Sequence, residues 1–197
     1  MTGGTSDSGG ISAFILAGGK SSRFGSDKAL FAYRGRPLIE HVIESIRPVV
    51  GRMAVISNEP ERLAYLEIPC HPDSVEGLGP FGGVYTALLL CVTDFALVVG
   101  CDMPEISAGL ICYMASVSGG YDVVVPRVRG WYEPLHAMYS KRCLPPAEKS
   151  IRAGNRQIVS FFKEVSVRAV EEEEVSRFGD PVRLFRNINY RTEAEDE

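Results

Sequence analysis

The polar loop that follows the first apolar run carries the residues best suited to bind phosphate. Gly18 and Gly19 allow the backbone to approach a ligand closely, and the N–H groups of such a loop can cradle phosphate oxygens. Arg23 adds a planar guanidinium fork and Lys28 a point charge, and both suit a polyphosphate. The spacing matches neither a P-loop nor the G-x-G-x-x-G pattern. An ordinary solvated turn with basic residues remains the alternative.

A second candidate, Asp102, follows the apolar run of residues 95–101. This run is too short for a typical helix and predicts a buried central strand. The Asp102 carboxylate should then emerge at the sheet edge that carries the glycine-rich loop. A carboxylate beside a polyphosphate suggests Mg²⁺, which prefers one or two carboxylates, waters and phosphate oxygens. The same residues also fit a helix cap, with Asp102 at the N-cap, Pro104 early in the helix and Glu105 three residues on.

A third candidate region begins at Asp73, which precedes a loop of glycines and a proline at residues 77–83. We expect a helix to begin near Val84. The N-terminus of that helix and its loop could face an anion or the edge of a nucleobase. A flexible connection is the alternative.

Polar residues close to two further predicted strands could also reach a ligand. Asn187 and Asn189 lie two apart on a predicted last strand, so their amides would share one face. His136 lies near the start of another predicted strand. Turn-forming asparagines and a structural histidine are the alternatives.

The elements that must position these residues follow from the apolar pattern. Strands are predicted at residues 11–17, 53–57, 68–71, 95–101, 123–125, 135–139, 165–170 and 184–189. Helices are predicted between Pro37 and Pro48 and at residues 61–66, 84–92, 107–117, 141–153 and 171–178. Strands that alternate with helices predict an α/β fold with a mostly parallel central sheet and helices on both faces. Such sheets bind ligands beyond the carboxyl ends of their strands.

Length and composition set outer limits on the function. The 197 residues are 45% hydrophobic, which suits one core and one domain. Lys and Arg total 21 against 25 Asp and Glu, a net charge of −4, which argues against broad binding to nucleic acid or anionic membrane. The uncharged residues 77–93 are too few and too interrupted to span a bilayer. Five cysteines without C-x-x-C spacing indicate reduced core thiols, and three scattered histidines argue against a zinc site.

The same features suggest where the domain begins and ends. Residues 1–10 carry no Lys, no Arg and no apolar run, so we expect a flexible tail and not a signal peptide. We expect a single domain over residues 11–190, a polar tail over 191–197 and a cytoplasmic location.

The segment from Leu16 to Leu30, LAGGKSSRFGSDKAL, resembles the signature loop of the molybdenum cofactor guanylyltransferases, the MobA-like family of molybdopterin-guanine dinucleotide synthesis. The resemblance covers nearly everything between Ile11 and Asn189. It continues through residues 35–38, Asp73 with residues 79–83, residues 101–104, residues 134–137 and residues 187–189.

The resemblance implies a Rossmann-like nucleotidyltransferase fold and an enzyme that joins GMP from GTP to molybdopterin and releases pyrophosphate. It implies Mg²⁺ as the cofactor, with Mn²⁺ as a substitute. Molybdenum-insertion proteins and molybdoenzyme apoproteins are the further partners that it suggests, and it implies no nucleic acid and no membrane.

The family's functional positions fall on identifiable residues of this chain. Those matching the nucleotide-binding positions are Leu16, Ala17, Gly18, Gly19, Lys28, Asp73, Asp102 and the pair Ser57 and Asn58, of which either could be the polar strand-end contact. Asp102 matches the Mg²⁺ ligand, Lys28 the phosphate contact and Arg23 the basic position near the triphosphate. Asn187 and Asn189 match the motif near the molybdopterin, and His136 is a further candidate for the same ligand. We expect Asp102→Ala or Lys28→Ala to lower turnover strongly and to leave the fold intact.

Three departures from the family pattern are visible. Phe24 stands where Met is usual and Phe81 where Leu is usual, and both changes are conservative. After Asn189 the family commonly continues with Thr-Pro-Glu, whereas this chain has Tyr-Arg-Thr-Glu.

Two other functions are compatible with the residues. A cytidylyltransferase or sugar-1-phosphate nucleotidyltransferase could use the same scaffold, but relatives that use pyrimidine nucleotides resemble Ala-Ala-Gly at the second glycine of the loop, which leaves less room for a purine. A carrier that binds GTP or molybdopterin without catalysis would not need Arg23, Lys28 and Asp102 together, and all three are present.

Overall fold

The computed structural model describes residues 11–18 and 28–188. Within these residues the strands are β1 (Ser12–Leu16), β2 (Ala32–Tyr33), β3 (Arg36–Pro37), β4 (Arg52–Ile56), β5 (Cys70–His71), β6 (Phe95–Gly100), β7 (Val123–Val128), β8 (Trp131–Tyr132), β9 (His136–Ser140) and β10 (Val167–Glu171). The α-helices are α1 (Leu38–Ile46), α2 (Pro80–Leu90), α3 (Ala108–Ser116), α4 (Leu144–Arg152), α5 (Glu172–Val175) and α6 (Pro181–Leu184). Short 3₁₀ helices join several of them.

The central sheet has the order β10-β7-β9-β6-β1-β4-β5, with β8 added to β7. The strands β6, β1, β4 and β5 are parallel, and β9 runs antiparallel between β6 and β7. The mostly parallel sheet predicted from the sequence is thus confirmed. From β1 the chain moves to β4 on one side and later returns to β6 on the other, so the strand order switches direction between β1 and β6. In open α/β sheets this switch point is where ligands bind.

Both faces of the sheet are buried, because its central strands are apolar at consecutive positions. One hydrophobic cluster joins Ile15 and Val99 to α1 and α3, and a second joins Leu16 and Val98 to α2 and α4. Neighbouring strand residues point to opposite faces, so each central strand contributes to both clusters. Helices therefore cover both faces, as the sequence predicts.

The helix α1 forms where the sequence predicts it. Apolar residues recur every three or four positions, and the buried ones are Leu38, Ile39, Val42, Ile43 and Ile46. Pro37 precedes the first turn, and Pro48 follows the last residue within a short 3₁₀ segment. Proline lacks the N–H that a helix interior needs, so it limits the helix at this end.

The start of α2 differs from the prediction of Val84. The helix begins four residues earlier, at Pro80, after Gly79 with a φ of 59°. Gly82 and Gly83 therefore lie within the helix, at positions where neighbouring groups leave no room for a side chain. A Cβ on Gly83 would lie 2.8 Å from Leu16 Cδ1, and one on Gly82 would lie 3.0 Å from the Val75 carbonyl oxygen.

The helix after β6 also corrects one interpretation of Asp102. The helix α3 begins at Ala108, and the Ser107 hydroxyl caps it by accepting a hydrogen bond from the Leu110 N–H. Asp102 lies six residues before α3, in a turn. The interpretation of Asp102 as a helix N-cap is wrong.

The last described segment is not the strand that the sequence suggests. After α6, residues 186–188 have no regular secondary structure. Ile188 is fully buried and packs with Tyr33 and Leu38, and its N–H donates to the carbonyl oxygen of Asp102 at 2.9 Å. The segment is therefore held by packing and by one backbone bond at the end of β6, and not by a strand ladder.

All five cysteines are free thiols, as predicted, although Cys112 is exposed on α3 and does not belong to the core. In the described part of the chain, every helix is too short or too polar to cross a membrane. The limits expected for the domain and its two tails fall partly outside the described residues and remain a prediction.

Candidate active site

The candidate site lies at the carboxyl ends of β1, β4 and β6. Two backbone bonds extend the ladders past the last strand residues: the Ala17 N–H donates to the Ile56 oxygen at 2.9 Å, and the Cys101 N–H donates to the Leu16 oxygen at 3.1 Å. The backbone of Leu16 and Ala17 is thereby fixed between the ends of β4 and β6. Gly18 follows at the exposed edge.

Asp102 forms the centre of one cluster. The Lys28 ammonium lies 2.6 Å from Asp102 Oδ2, and both side chains are about one-fifth exposed. The amide nitrogen of Asn187, in the orientation that satisfies its hydrogen bonds, donates to Oδ1 at 3.2 Å and to Oδ2 at 3.3 Å. Residues that are 74 and 85 positions from Asp102 in the sequence therefore meet at its carboxylate.

Gly100 leaves the space that the Asp102 carboxylate occupies. A Cβ on Gly100 would lie 2.6 Å from Asp102 Oδ1 and 3.1 Å from Met103 Cε. The carboxylate would have to move, whereas the flexible Met103 could adjust at little cost. The sequence signal for this role is a glycine at the end of an apolar run and two residues before an acid, and Gly100 was not among the predicted site residues.

We predict that Gly100→Ala lowers the nucleotidyl transfer implied by the sequence resemblance about tenfold to a hundredfold. Asp102 is the predicted metal ligand, and a displacement of about 1 Å in a catalytic group has an effect of this size. The fold should persist. Pyrophosphate release and a thermal melt measure the two properties, and Gly119→Ala is the matched control, since a Cβ there would meet nothing within 4 Å. Full activity in a folded Gly100→Ala protein would contradict the prediction.

Asp73 and Asn58 form a second cluster, beyond the ends of β4 and β5. The Asp73 N–H donates to Asn58 Oδ1 at 2.9 Å, and Asn58 Nδ2 lies 3.5 Å from Asp73 Oδ2. Burial raises the pKa of Asp73, and the hydrogen bond from Asn58 partly opposes this shift. Asp73 Oδ1 is buried without a hydrogen-bond partner among the described residues. A donor from a ligand would satisfy it.

Of the two polar residues at the end of β4, the structure turns Asn58 and not Ser57 toward Asp73. Ser57 is buried, and its hydroxyl accepts a hydrogen bond from the Glu59 N–H at 3.1 Å. Its own N–H donates to the His71 oxygen. Gly18 borders this second cluster, because a Cβ there would lie 3.9 Å from Asp73 Oδ2.

The loop before α2 borders the second cluster. A Cβ on Gly82 would lie 3.9 Å from the carboxyl carbon of Asp73, so the first turn of α2 lies beside that side chain. The N–H groups of a first helical turn have no partner within the helix and favour anions. Arg156 donates to the Gly77 carbonyl oxygen at 2.9 Å and holds the loop from the other side.

His136 lies inside the protein and does not face a ligand. It is fully buried, its ring contacts Phe185 edge-on at 5.1 Å, and neither ring nitrogen has a hydrogen-bond partner in the described part of the chain. Burial lowers the pKa of His136 to about 4. In this conformation His136, predicted to bind molybdopterin, offers no atom to a substrate.

Three residues predicted to belong to the site, Gly19, Arg23 and Asn189, lie outside the described residues. Of the others, the structure brings Lys28, Asp102 and Asn187 together at the end of β6.

Asp102 is suited to a cation that takes most of its ligands from a nucleotide. Among residues 11–18 and 28–188, no group of three or more His, Cys, Asp or Glu side chains could enclose a metal ion. A single carboxylate fits Mg²⁺, which is commonly bound by one or two carboxylates together with phosphate oxygens and waters. It does not fit structural zinc, which requires four protein ligands.

Comparison with known proteins gives a consistent result. The family model described as the MobA-like NTP transferase domain matches residues 13–170. A Syntrophotalea carbinolica protein named molybdenum cofactor guanylyltransferase is 32% identical over 186 residues, which cover 93% of this chain and 89% of the relative. A Pelotomaculum thermopropionicum protein named probable molybdenum cofactor guanylyltransferase is 38% identical over 177 residues, which cover 89% and 85%.

Solved structures agree on the fold. Molybdopterin-guanine dinucleotide biosynthesis protein A from Archaeoglobus fulgidus has a TM-score of 0.80 at 24% identity and covers 93% of this chain and 95% of its own. A nucleotidyl transferase from Methanothermobacter has a TM-score of 0.70 at 17% identity and covers 93% of both chains. These likenesses confirm the nucleotidyltransferase fold.

The family model spans most of the chain, and the relatives are aligned over about nine-tenths of it. The resemblance found in the sequence is thereby confirmed, and the chain belongs to the MobA-like NTP transferase domain family.

Proposed function

We propose that the protein transfers GMP from GTP to molybdopterin, which forms the guanine dinucleotide and releases pyrophosphate. The observation that carries the proposal is the Asp102 carboxylate at the sheet's switch point, 2.6 Å from the Lys28 ammonium. A negative and a positive side chain held together there suit a reaction between two polyanions. The names of the relatives, guanylyltransferases of the molybdenum cofactor, support the same substrates.

In the proposed reaction a terminal phosphate oxygen of molybdopterin attacks the α-phosphorus of GTP. A new P–O bond forms, the bond between the α-phosphorus and its bridging oxygen breaks, and pyrophosphate leaves with that oxygen. The nucleophile is already anionic, so we assign no general base. Catalysis then depends on positioning and on charge neutralisation.

Each cluster has a part in this scheme. We assign Asp73 and Asn58, with the backbone of residues 16–18, to the nucleoside, because Asp73 Oδ1 lacks a partner there. We assign Lys28 to the phosphates and Asp102 to Mg²⁺, which Mn²⁺ can replace. Mg²⁺ would supply charge neutralisation at the phosphate oxygens. Asn187 then positions the Asp102 carboxylate.

We further propose a single catalytic domain over residues 11–190, with polar tails on either side, and a cytoplasmic location. Molybdenum-insertion proteins and molybdoenzyme apoproteins are the proposed further partners. These assignments rest on the family and not on a described contact.

Pyrophosphate release tests the proposal. The purified protein is incubated with Mg²⁺ and molybdopterin, and GTP is compared with CTP, ATP and UTP. Sugar 1-phosphates serve as alternative acceptors. We expect release with GTP and molybdopterin together, loss of release with a chelator of divalent ions, and recovery when Mg²⁺ is added in excess.

The other outcomes point to the alternatives. Release with CTP in place of GTP indicates a cytidylyltransferase, and release with a sugar 1-phosphate indicates a different acceptor. Binding of GTP without pyrophosphate release indicates a carrier. Each of these results contradicts guanylyl transfer to molybdopterin.

A further inference from the structure

The hairpin of β7 and β8 lies at the same end of the sheet as Asp102. In the strand order, Asp102 lies between this hairpin and Asp73. Val124 of β7 and Leu97 of β6 both pair with Met138 of β9, which lies between them. Since β7 and β6 run in the same direction, Val128 is level with Cys101, four residues further along each strand. The end of β7 is thus level with the turn that carries the candidate metal ligand.

The strand β8 brings Trp131 to this level. Trp131 pairs with Val128. Its backbone therefore lies within about two strand spacings of the turn that follows β6. Trp131 is 77% exposed, although tryptophan is usually well covered in soluble proteins. It is also the single tryptophan of the chain.

The hairpin holds this ring on a fixed backbone. Its turn residues Arg129 and Gly130 have φ values of 52° and 80°, as a tight type I′ turn requires. The Arg129 N–H donates to the Glu172 carboxylate at 2.8 Å, and Tyr132 packs edge-on against Phe162 at 5.5 Å. An aromatic platform on a rigid hairpin can stack on a flat ligand at little entropic cost.

Glu133 stands next to this platform in a three-residue bulge. Both β8 and β9 pair with β7, and residues 133–135 separate these two pairings. The Leu135 oxygen accepts a hydrogen bond from the Gly100 N–H at 2.9 Å, which ties the bulge to the end of β6. Such bulges often direct side chains at active sites. The half-buried Glu133 carboxyl has no hydrogen-bond or ion-pair partner among the described residues, and burial raises its pKa to about 7. A buried carboxyl without a donor is costly unless a ligand supplies one.

The chemistry of the two side chains matches one type of ring. The 2-amino-4-oxo edge shared by pterins and guanine presents two parallel N–H donors, and a carboxylate accepts such a pair in bidentate fashion. The nucleoside cluster of Asp73 and Asn58 lies on the other side of β1, beyond β4 and β5. Trp131 and Glu133 are therefore left for the acceptor.

We propose that Trp131 and Glu133 bind the pterin ring of the acceptor, with the indole stacked on the ring and the carboxylate accepting its two N–H groups. The inference rests on the proposed function. It places the two substrates on opposite sides of Lys28 and Asp102, so that the acceptor phosphate can approach the α-phosphorus between them.

Tryptophan fluorescence tests the binding site directly, because Trp131 is the single reporter. The probes are pterin and lumazine, the analogue with oxygen in place of the 2-amino group, and free N-acetyltryptophanamide corrects for absorption by the probes. We expect saturable quenching by pterin, about tenfold weaker binding of lumazine, and little quenching by GTP. Glu133→Gln should bind lumazine more tightly than pterin, since the carboxamide offers one acceptor and one donor to the N–H and carbonyl groups of the lumazine edge.

Steady-state kinetics provide a second readout. Trp131→Ala and Glu133→Gln should each raise KM for molybdopterin about tenfold or more and leave KM for GTP within about twofold. Trp131→Phe, which keeps a ring, should recover most of the loss. Val92→Ala is the matched control. Val92 is 64% exposed and lies between α2 and the first residue of β6, at the end of that strand away from Asp102.

The results that overturn the inference differ from those that overturn the proposed function. An unchanged KM for molybdopterin in both variants of an active enzyme overturns the pterin site. Quenching by GTP equal to that by pterin also overturns it, because guanine then occupies the site. A wild-type protein that binds pterin but forms no dinucleotide overturns the proposed reaction and leaves the site in place.

Discussion

An Asp102→Asn variant should release pyrophosphate from GTP and molybdopterin about a thousandfold more slowly than the parent protein. The substitution keeps the size of the side chain and removes the one carboxylate that joins Lys28 and Asn187 at the end of β6. Because the amide carries no charge, the cation and the triphosphate lose their fixed counter-charge. GTP affinity should fall less than turnover, since Asp73 and the loop contacts remain.

The measurement is single-turnover pyrophosphate release at saturating Mg²⁺ and GTP. Asp94→Asn is the matched control, because Asp94 is an exposed carboxylate just before the first residue of the same strand. A thermal melt of each variant separates lost chemistry from lost folding. More than one-tenth of the parent rate in Asp102→Asn would argue against a metal-binding role for this residue.

A His136→Leu variant should be markedly less sensitive to acid than the parent protein. Burial lowers the pKa of His136 from 6.5 to about 4, so between these pH values the unfolded chain binds a proton that the folded protein does not. The free energy of unfolding of the parent therefore decreases as pH falls from about 6.5 to about 4. The contribution of this one group is about 3 kcal/mol.

Chemical denaturation at several pH values between 4 and 7.5 measures this difference. Leucine cannot titrate, so the variant should lack the part of the decrease in unfolding free energy that His136 causes. The contributions of all other titratable groups cancel when the two proteins are compared. The variant should also gain stability at pH 7.5, because it removes two buried nitrogens without described partners. Parallel pH profiles for the two proteins would mean that His136 is not buried in solution.

Much of the fold was predictable because its signals are local. The buried strands β1 and β6 appear as short apolar runs, and α1 has apolar spacing with prolines near both ends. The carboxyl ends of β1 and β6 were also predictable, and the end of β6 placed Asp102 at the ligand-binding edge of the sheet. Such patterns depend on neighbours within a few residues, and the sequence contains them in full.

The differences arise where distant residues decide the structure. Gly82 and Gly83 resemble a loop in sequence, but they lie within α2, where Leu16 and the Val75 carbonyl oxygen leave no room for a side chain. The direction of β9 depends on its pairing with β6 and β7, and no local pattern specifies it.

In the candidate site, too, some features follow from the local sequence and others depend on distant residues. Its strand-end positions follow from the sequence, but the contact of Asn187 with Asp102 depends on how the last described segment packs. The burial of His136 under Phe185 has the same origin. The roles assigned to Lys28 and Asp102 remain predictions that their variants can test, and the role assigned to Asp73 also remains a prediction.

The position of Ile188 has a consequence for how the protein folds while it is being synthesised. This residue completes the packing around Tyr33 and Leu38, and its N–H bonds the backbone of Asp102. In a ribosome-bound chain whose residues 185–188 have not yet emerged, the central strands can pair, but His136 lacks its contact with Phe185 and Asp102 lacks its contacts with Asn187 and Ile188. We therefore expect the nascent protein to bind nucleotide poorly until this segment has emerged from the ribosome. Long-range closure of this kind is slow compared with local folding.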